Sequence, residues 1–177
     1  MGLAATVDPT ETKIFIMGGM EPGTLTYMND VWSSQDGKTW TLVVAHASWG
    51  GRWLHTAISF QGNMWVVGGM KCGLERAGKE GTKEYSATAP GANPCNEVNQ
   101  NPGMYYSDVW VDRDDGVAWD RSTDQAGWSG RGGHVLVSWD TANQVPPLPV
   151  PRNNLYVIGG AGEYDSTLQD VWIGFEF

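Results

Sequence analysis

Three copies of one short pattern divide this chain into tandem repeats. In each copy a short apolar run ends in a Gly-Gly pair, and an Asp-Val-Trp segment follows after a gap. A tandem repeat indicates an architecture in which one small unit packs against copies of itself, so the recurring residues are expected to build the fold. The repeated segments are Gly18-Gly19 with Asp30-Val31-Trp32, Gly68-Gly69 with Asp108-Val109-Trp110, and Gly159-Gly160 with Asp170-Val171-Trp172.

Each repeat reads as four short β-strands, which we label A to D. The segments are rich in Val, Ile, Trp and Tyr and are bounded by Gly, Asn, Asp and Pro, which is typical of strands and turns. No segment keeps a helical period, so the sequence predicts an all-β protein. We expect Trp32, Trp110 and Trp172 to be buried at equivalent positions. Strand A follows Arg-x-x-His in two repeats, as Arg52 to His55 and as Arg131 to His134.

Two insertions lengthen the later repeats. Asp108 lies 39 residues after Gly69, whereas Asp30 lies 11 residues after Gly19. The longer gap places an inserted loop, residues 71–107, between strands B and C of the second repeat. The other insertion separates strands A and B of the third repeat. It contains the proline-rich segment 145–151, which reads as a stiff spacer or contact strip.

This pattern resembles the kelch repeat of the galactose-oxidase-like superfamily, in which Arg-x-x-His, a strand ending in Gly-Gly, a polar-apolar-aromatic strand and a closing Trp recur. The resemblance implies a β-propeller with blades of four antiparallel strands. We expect about three blades in an incomplete ring: blade 1 at about 2–45, blade 2 at about 52–124 with the inserted loop 71–107, and blade 3 at about 131–177, lacking its last strand. Propellers typically close with four to eight blades. The chain therefore looks like a fragment, or its ring is completed by further blades of the same chain or by another subunit.

Charge and composition narrow the classes of ligand. The formal net charge of −9 argues against nucleic acid and anionic membrane surfaces, which bind basic patches. The longest apolar runs have strand length, so we expect no membrane insertion. We expect no cofactor. The cluster of Asp112, Asp114 and Asp115 reads as a solvated turn, and the alternative is a Ca²⁺ site, because hard oxygen ligands suit that ion. Residues 33–40 resemble the Asp-box turn of sialidase-type propellers, and we expect a structural turn there.

The two cysteines of the chain, Cys72 and Cys95, both lie in the inserted loop near its ends. This placement predicts a disulfide that ties the loop, and disulfides persist in oxidising compartments. We therefore expect an extracellular or cell-surface protein. In an intracellular kelch scaffold, which is an alternative, both thiols would stay reduced.

The topology of an antiparallel blade predicts a candidate binding face. Loops B–C and D–A must emerge at one end of the blades, and loops A–B and C–D at the other. Aromatic and arginine side chains at the B–C/D–A end suit sugar stacking or protein contact. The alternative is that the repeated tryptophans pack between blades and the repeated arginines belong to the scaffold. The candidate binding residues are Trp49, Arg52, Trp128, Arg131, Tyr85, Tyr105 and Tyr106.

These observations predict a binding or structural module that recognises a protein or glycan through the B–C/D–A face. No catalytic or metal site is predicted within the chain. A second hypothesis is a segment of a galactose-oxidase-like or sialidase-like propeller enzyme whose catalytic residues lie elsewhere.

Overall fold

The computed structural model describes residues 1–24, 26–71, 104–139, 154–163 and 166–174. Cys72, Cys95, Tyr85 and the proline-rich segment 145–151 lie outside the described residues. Within the described part, the regular structure consists of β-strands arranged in antiparallel sheets, as the sequence predicts. No helix in that part is long and apolar enough to cross a membrane.

Three sheets follow one another along the chain, and each contains the strands of one blade. The first has four strands in the order β1-β2-β3-β4, the second has four in the order β10-β9-β6-β5, and the third has three in the order β11-β12-β13. A two-stranded ladder, β7-β8, lies at the base of the inserted loop. The strands are β1 Ala4–Val7, β2 Ile14–Glu21, β3 Thr26–Ser34, β4 Thr41–Val44, β5 Thr56–Phe60, β6 Asn63–Val67, β7 Met70–Lys71, β8 Met104–Tyr105, β9 Val109–Asp112, β10 Trp119–Thr123, β11 Val135–Trp139, β12 Asn154–Ala161 and β13 Thr167–Gly174.

The sheets pack side by side, with strand β5 in contact with β1 on one side and β11 on the other. Between the first and second sheets lies one apolar cluster, which includes Phe15, Met17, Met64 and Val66. A second cluster lies between the second and third sheets. Antiparallel sheets of four, four and three strands with an apolar core between each neighbouring pair form a propeller-like arrangement.

The Gly-Gly pairs have the same backbone conformation in all three blades. The first glycine has φ of 58°, 58° and 61°, and the second has φ of 107°, 96° and 107°. In blade 2 a Cβ on Gly69 would lie 2.6 Å from the Cβ of His55. Both the left-handed conformation and the close approach therefore require glycine.

The tryptophans of the three Asp-Val-Trp segments are less buried than predicted. Trp32 and Trp110 are half-buried and Trp172 is 37% exposed, so the prediction that all three are well buried is wrong. Each indole N–H instead donates to the Asp of its own Asp-Val-Trp segment, at 2.6 to 2.8 Å. The intervening valines Val31 and Val109 are fully buried, because alternate residues of a strand face opposite sides. The well-buried tryptophans are Trp49, Trp65, Trp119 and Trp128.

Candidate functional site

The D–A loops and the base of the inserted loop meet at one end of the blades, as the antiparallel topology predicts. We call this end the loop face; it comprises residues 47–53, 126–132 and the β7-β8 ladder. Arg52 N donates to the carbonyl of Met28 at 3.1 Å, and Arg131 N donates to that of Tyr106 at 3.0 Å. Trp53 and Met70 form an isolated antiparallel bridge. The inserted loop is therefore fixed at its base by the neighbouring D–A loop.

Arg52 and Arg131 are buried in equivalent ion pairs. The Arg52 guanidinium donates to both carboxylate oxygens of Asp108, at 2.6 and 2.8 Å, and to the Gly68 carbonyl at 2.8 Å. Arg131 makes the same three bonds with Asp170 and Gly159. The hydrogen bonds from Arg131 hold the pKa of Asp170 well below its ordinary value. The two arginines are 1% and 0% exposed, so neither has a side-chain surface to offer a ligand from solvent.

The same two arginines connect neighbouring blades through their backbone. The carbonyl of Arg52 accepts from Gly19 N of the preceding blade at 2.8 Å, and that of Arg131 accepts from Gly69 N at 2.8 Å. In each case the guanidinium binds a carboxylate of its own blade, whereas the backbone carbonyl accepts a hydrogen bond from the preceding blade. We call this arrangement the blade clip. Arg-x-x-His and Gly-Gly therefore recur together because they form the two sides of one contact.

Trp49 and Trp128, which we expected among the binding residues, are 0% and 6% exposed. Trp49 packs edge-on against Trp119, with ring centroids 6.2 Å apart, and belongs to the first core cluster. Trp128 belongs to the second cluster. Their rings lie between blades, which is the alternative that the repetition favoured, and neither ring is available for stacking on a sugar in this structure.

Tyr105 and Tyr106 lie just before strand C (β9), where the inserted loop rejoins the blade. The Tyr106 ring lies under the Arg52 guanidinium, 4.1 Å from ring centroid to guanidinium carbon, in cation–π geometry. Tyr106 N donates to the carbonyl of Gly69, and Tyr105 pairs with Met70. Both tyrosines are half-buried. They anchor the loop base and leave part of their surface at the loop face.

His55 and His134 are buried histidines at equivalent positions. Burial lowers the pKa of His55 to about 3 and that of His134 to about 4, so both rings are neutral near pH 7. His134 Nε2 lies 2.7 Å from the Thr56 hydroxyl in the preceding blade. At the position that matches Thr56, blade 1 has Ala4, which has no hydroxyl for His55. The histidines are scaffold residues, as the repeat predicts.

The opposite end of the blades carries a polar cleft of about 410 Å³ between blades 1 and 2. Lys13 forms an ion pair with Asp115 across this cleft, and Asp112 accepts hydrogen bonds from the backbone of its own turn. Burial raises the pKa of Asp112. No three acidic, His or Cys side chains converge as metal ligands within the described residues. The carboxylates here are engaged by the turn and by Lys13.

The segment resembling an Asp-box is a tight turn. Asp36 accepts hydrogen bonds from the backbone of Thr39 and Lys38, and these bonds lower its pKa to about 2. Ser34 closes the same turn through a bond to Asp36. Every one of these partners lies within the turn, as expected for a structural role.

Comparison with known proteins agrees with this fold. No family model and no curated protein matches the sequence. Among solved structures, that of YjhT is similar with a TM-score of 0.61 and 19% sequence identity, over 97% of this chain and 41% of YjhT. YjhT has a β-propeller-like fold. The chain thus spans less than half the length of this neighbour, and a likeness at such low identity shows the fold alone.

Proposed function

We propose that the chain is a kelch-type propeller segment that acts outside the cell as a binding module for a protein or glycan. The ligand would be met at the loop face, chiefly by the inserted segment 72–103 with Tyr85. The observation that carries this proposal is the anchored base of that insertion. The β7-β8 ladder, the Trp53–Met70 bridge and the Tyr106–Arg52 contact join the residues that flank this segment to a core in which the repeated arginines and loop tryptophans are buried. Binding residues are often found on loops carried by a rigid scaffold.

The insertion is not needed to complete the sheet of blade 2. Strands β6 and β9 pair directly with each other, so blade 2 is a complete sheet without residues 72–103. A disulfide between Cys72 and Cys95 would restrict the segment further and lower the entropy it loses when it binds.

The strand pairing suggests a clean removal of the insertion. Lys71 and Met104 are directly paired, so a two-residue Asn-Gly turn in place of residues 72–103 closes an ordinary hairpin. A matched control exists in blade 3, where Trp139 and Asn154 are directly paired and Asn-Gly can replace residues 140–153. Both variants remove an insertion of similar kind, but from opposite ends of the blades.

The test is binding to a printed array of defined oligosaccharides and to a displayed library of extracellular protein domains. We expect the variant without residues 72–103 to keep its circular dichroism spectrum and lose every specific signal. The variant without residues 140–153 should retain those signals. Binding that survives removal of 72–103, or that disappears only on removal of 140–153, would place the ligand site elsewhere.

A further inference from the structure

The polar cleft between blades 1 and 2 contains a carboxylate oxygen that the fold does not use. Asp112 lines this cleft and is 6% exposed. Its Oδ1 accepts hydrogen bonds from Asp114 N at 3.2 Å and from Gly116 N at 2.8 Å. Within the described part of the chain, its Oδ2 accepts no hydrogen bond. A buried carboxylate with an unused oxygen costs folding free energy, because burial penalises the charged form.

The repeat shows that this turn does not require a carboxylate. Ser34 of blade 1 occupies the position of Asp112, four residues after the Asp of Asp-Val-Trp, and is also buried. Its hydroxyl accepts hydrogen bonds from Asp36 N at 3.3 Å and from Gly37 N at 2.9 Å. A neutral oxygen therefore closes the corresponding turn. An ionisable group that is held in a cleft against the cost of burial is typical of sites that contact a ligand.

Asp112 also carries a charge that no neighbouring cation compensates. Lys13 pairs with Asp115 across the cleft. Arg113 pairs with Asp120 at 3.3 Å. Both cations that line the cleft among the described residues are thus engaged elsewhere. A ligand with a positive charge of its own would stabilise the buried carboxylate, because a nearby opposite charge favours the ionised form.

Other side chains that line the cleft offer acceptors. Asp8 is engaged by its own turn, where its carboxylate accepts from Thr12 N at 2.8 Å. The Thr12 hydroxyl donates to Asp8 at 3.2 Å, which leaves the hydroxyl oxygen as an acceptor. Asn63 Nδ2 donates to the Gln61 carbonyl at 3.1 Å, which leaves Oδ1 as an acceptor. An alkylammonium group has three N–H donors and no acceptor, so it complements this lining.

We propose that the polar cleft binds a protonated primary amine, whose ammonium group donates a hydrogen bond to Asp112 Oδ2. The cleft volume of about 410 Å³ is in the range of small-ligand sites, and it admits a small alkylamine or one lysine side chain. A metal ion fits less well, because no three acidic, His or Cys side chains converge among the described residues. The cleft lies at the end of the blades opposite the loop face, so this proposal does not depend on what the loop face binds.

The experiment is a nuclear magnetic resonance titration that follows the amides of Asp114 and Gly116, which donate to the Asp112 carboxylate. The two ligand probes are n-butylammonium and a short N-acetylated peptide with one central lysine, which separate a free amine from a lysine side chain. Two control compounds accompany them. Tetramethylammonium has the charge without an N–H donor, and n-butanol has the alkyl chain without the charge.

We expect n-butylammonium to shift both amides saturably, and neither control compound to do so. A matching response to the peptide would identify a lysine side chain as the natural ligand, whereas a response to n-butylammonium alone would identify a free amine. Both responses support the proposal, because the ammonium group is common to the two probes.

Three variants sharpen the test. Asp112→Ser gives blade 2 the residue that blade 1 uses, so it should fold with an unchanged or higher urea midpoint. It should weaken n-butylammonium binding by at least about tenfold, since hydrogen bonds between charged groups are the stronger kind. Lys13→Gln removes a competing ammonium group and should tighten binding by about threefold. Asp124→Ser removes an exposed carboxylate that does not line the cleft, and it should leave binding unchanged.

Four results would overturn the proposal. The first is the absence of a saturable shift with either probe, and the second is equal binding of tetramethylammonium. The third is n-butylammonium binding that survives Asp112→Ser or weakens in Lys13→Gln. The fourth is calcium chloride that shifts the same amides and displaces n-butylammonium, which would make a metal ion the ligand. If Asp112→Ser does not fold, the direction of the change in Lys13→Gln decides the question, because that side chain takes no part in the Asp112 turn.

Discussion

Replacing Asp108 with Asn tests whether the arginine ion pairs hold the blades together. The Arg52 guanidinium is 1% exposed, and Asp108 is its one carboxylate partner among the described residues. Asp108→Asn keeps the size and one acceptor oxygen but removes the charge. The variant therefore leaves a buried guanidinium with a single neutral acceptor where it had a bidentate carboxylate.

Asp170 and Asp30, at equivalent repeat positions, serve as controls for Asp108. Loss of one partner of a buried ion pair costs about 3–5 kcal/mol, so Asp108→Asn should lower the free energy of unfolding by about that amount. Asp170 makes the same bonds to Arg131, but its side chain is 39% exposed against 12% for Asp108, so Asp170→Asn should cost about 1 kcal/mol. Asp30 binds the Trp32 indole and has no arginine partner in the described structure, so Asp30→Asn should cost about 0.5 kcal/mol or less.

Urea unfolding followed by tryptophan fluorescence measures this series. With a slope of about 2 kcal/mol per molar urea, Asp108→Asn should move the midpoint down by about 2 M, and Asp30→Asn should barely move it. The slope should stay constant, because a change in slope would mean that the unfolded state or the cooperativity had changed. Equal shifts for all three variants would refute the assignment of Arg52 as a buried structural cation.

Four further outcomes can be checked. Because burial holds the pKa of His134 at about 4, below its unfolded value, the unfolded state takes up the proton first, and the contribution of His134 to stability should fall by up to about 3 kcal/mol as the pH drops from about 6.5 to 4 in acid-unfolding curves, with His55 adding to the fall in the same pH range. Thr56→Val should remove the hydroxyl that His134 Nε2 contacts and lower the free energy of unfolding by about 1–3 kcal/mol in urea titrations. Gly68→Val should prevent cooperative thermal unfolding, since its Cβ would lie 2.9 Å from the Arg131 carbonyl. Mass measurement after thiol alkylation without reductant should find Cys72 and Cys95 unmodified, and two alkylated cysteines would place the protein in a reducing compartment.

The sequence predicted the fold well because its repeated residues are themselves the contacts between blades. Gly68-Gly69 and Arg131-x-x-His134 could be recognised by recurrence alone, and the structure places the two segments against each other. Recurrence could not show that the Arg131 guanidinium also binds within its own blade, because that contact joins residues far apart in the sequence. Its partner is Asp170, 39 positions further along the chain.

The candidate binding residues were harder to predict for a physical reason. Trp49 and Trp128 stand in loops at the correct end of the blades, and a loop position normally suggests exposure. Both side chains are nevertheless buried, because each belongs to an apolar cluster between two neighbouring sheets. The recurrence of Trp49 and Trp128 favoured packing between blades as an alternative, but burial of that kind depends on how neighbouring sheets are spaced, which no local sequence pattern shows.

The blade clip also bears on how such a chain can grow in evolution. Blades 2 and 3 each carry both halves of the contact, an Arg-x-x-His segment for the blade before and a Gly-Gly pair for the blade after. A tandem duplication of one such unit therefore creates a new, fully matched joint at once, without any compensating substitution. Loss of a unit from the middle of the array likewise brings two matching halves together. The number of blades can change by recombination while every joint keeps the same chemistry.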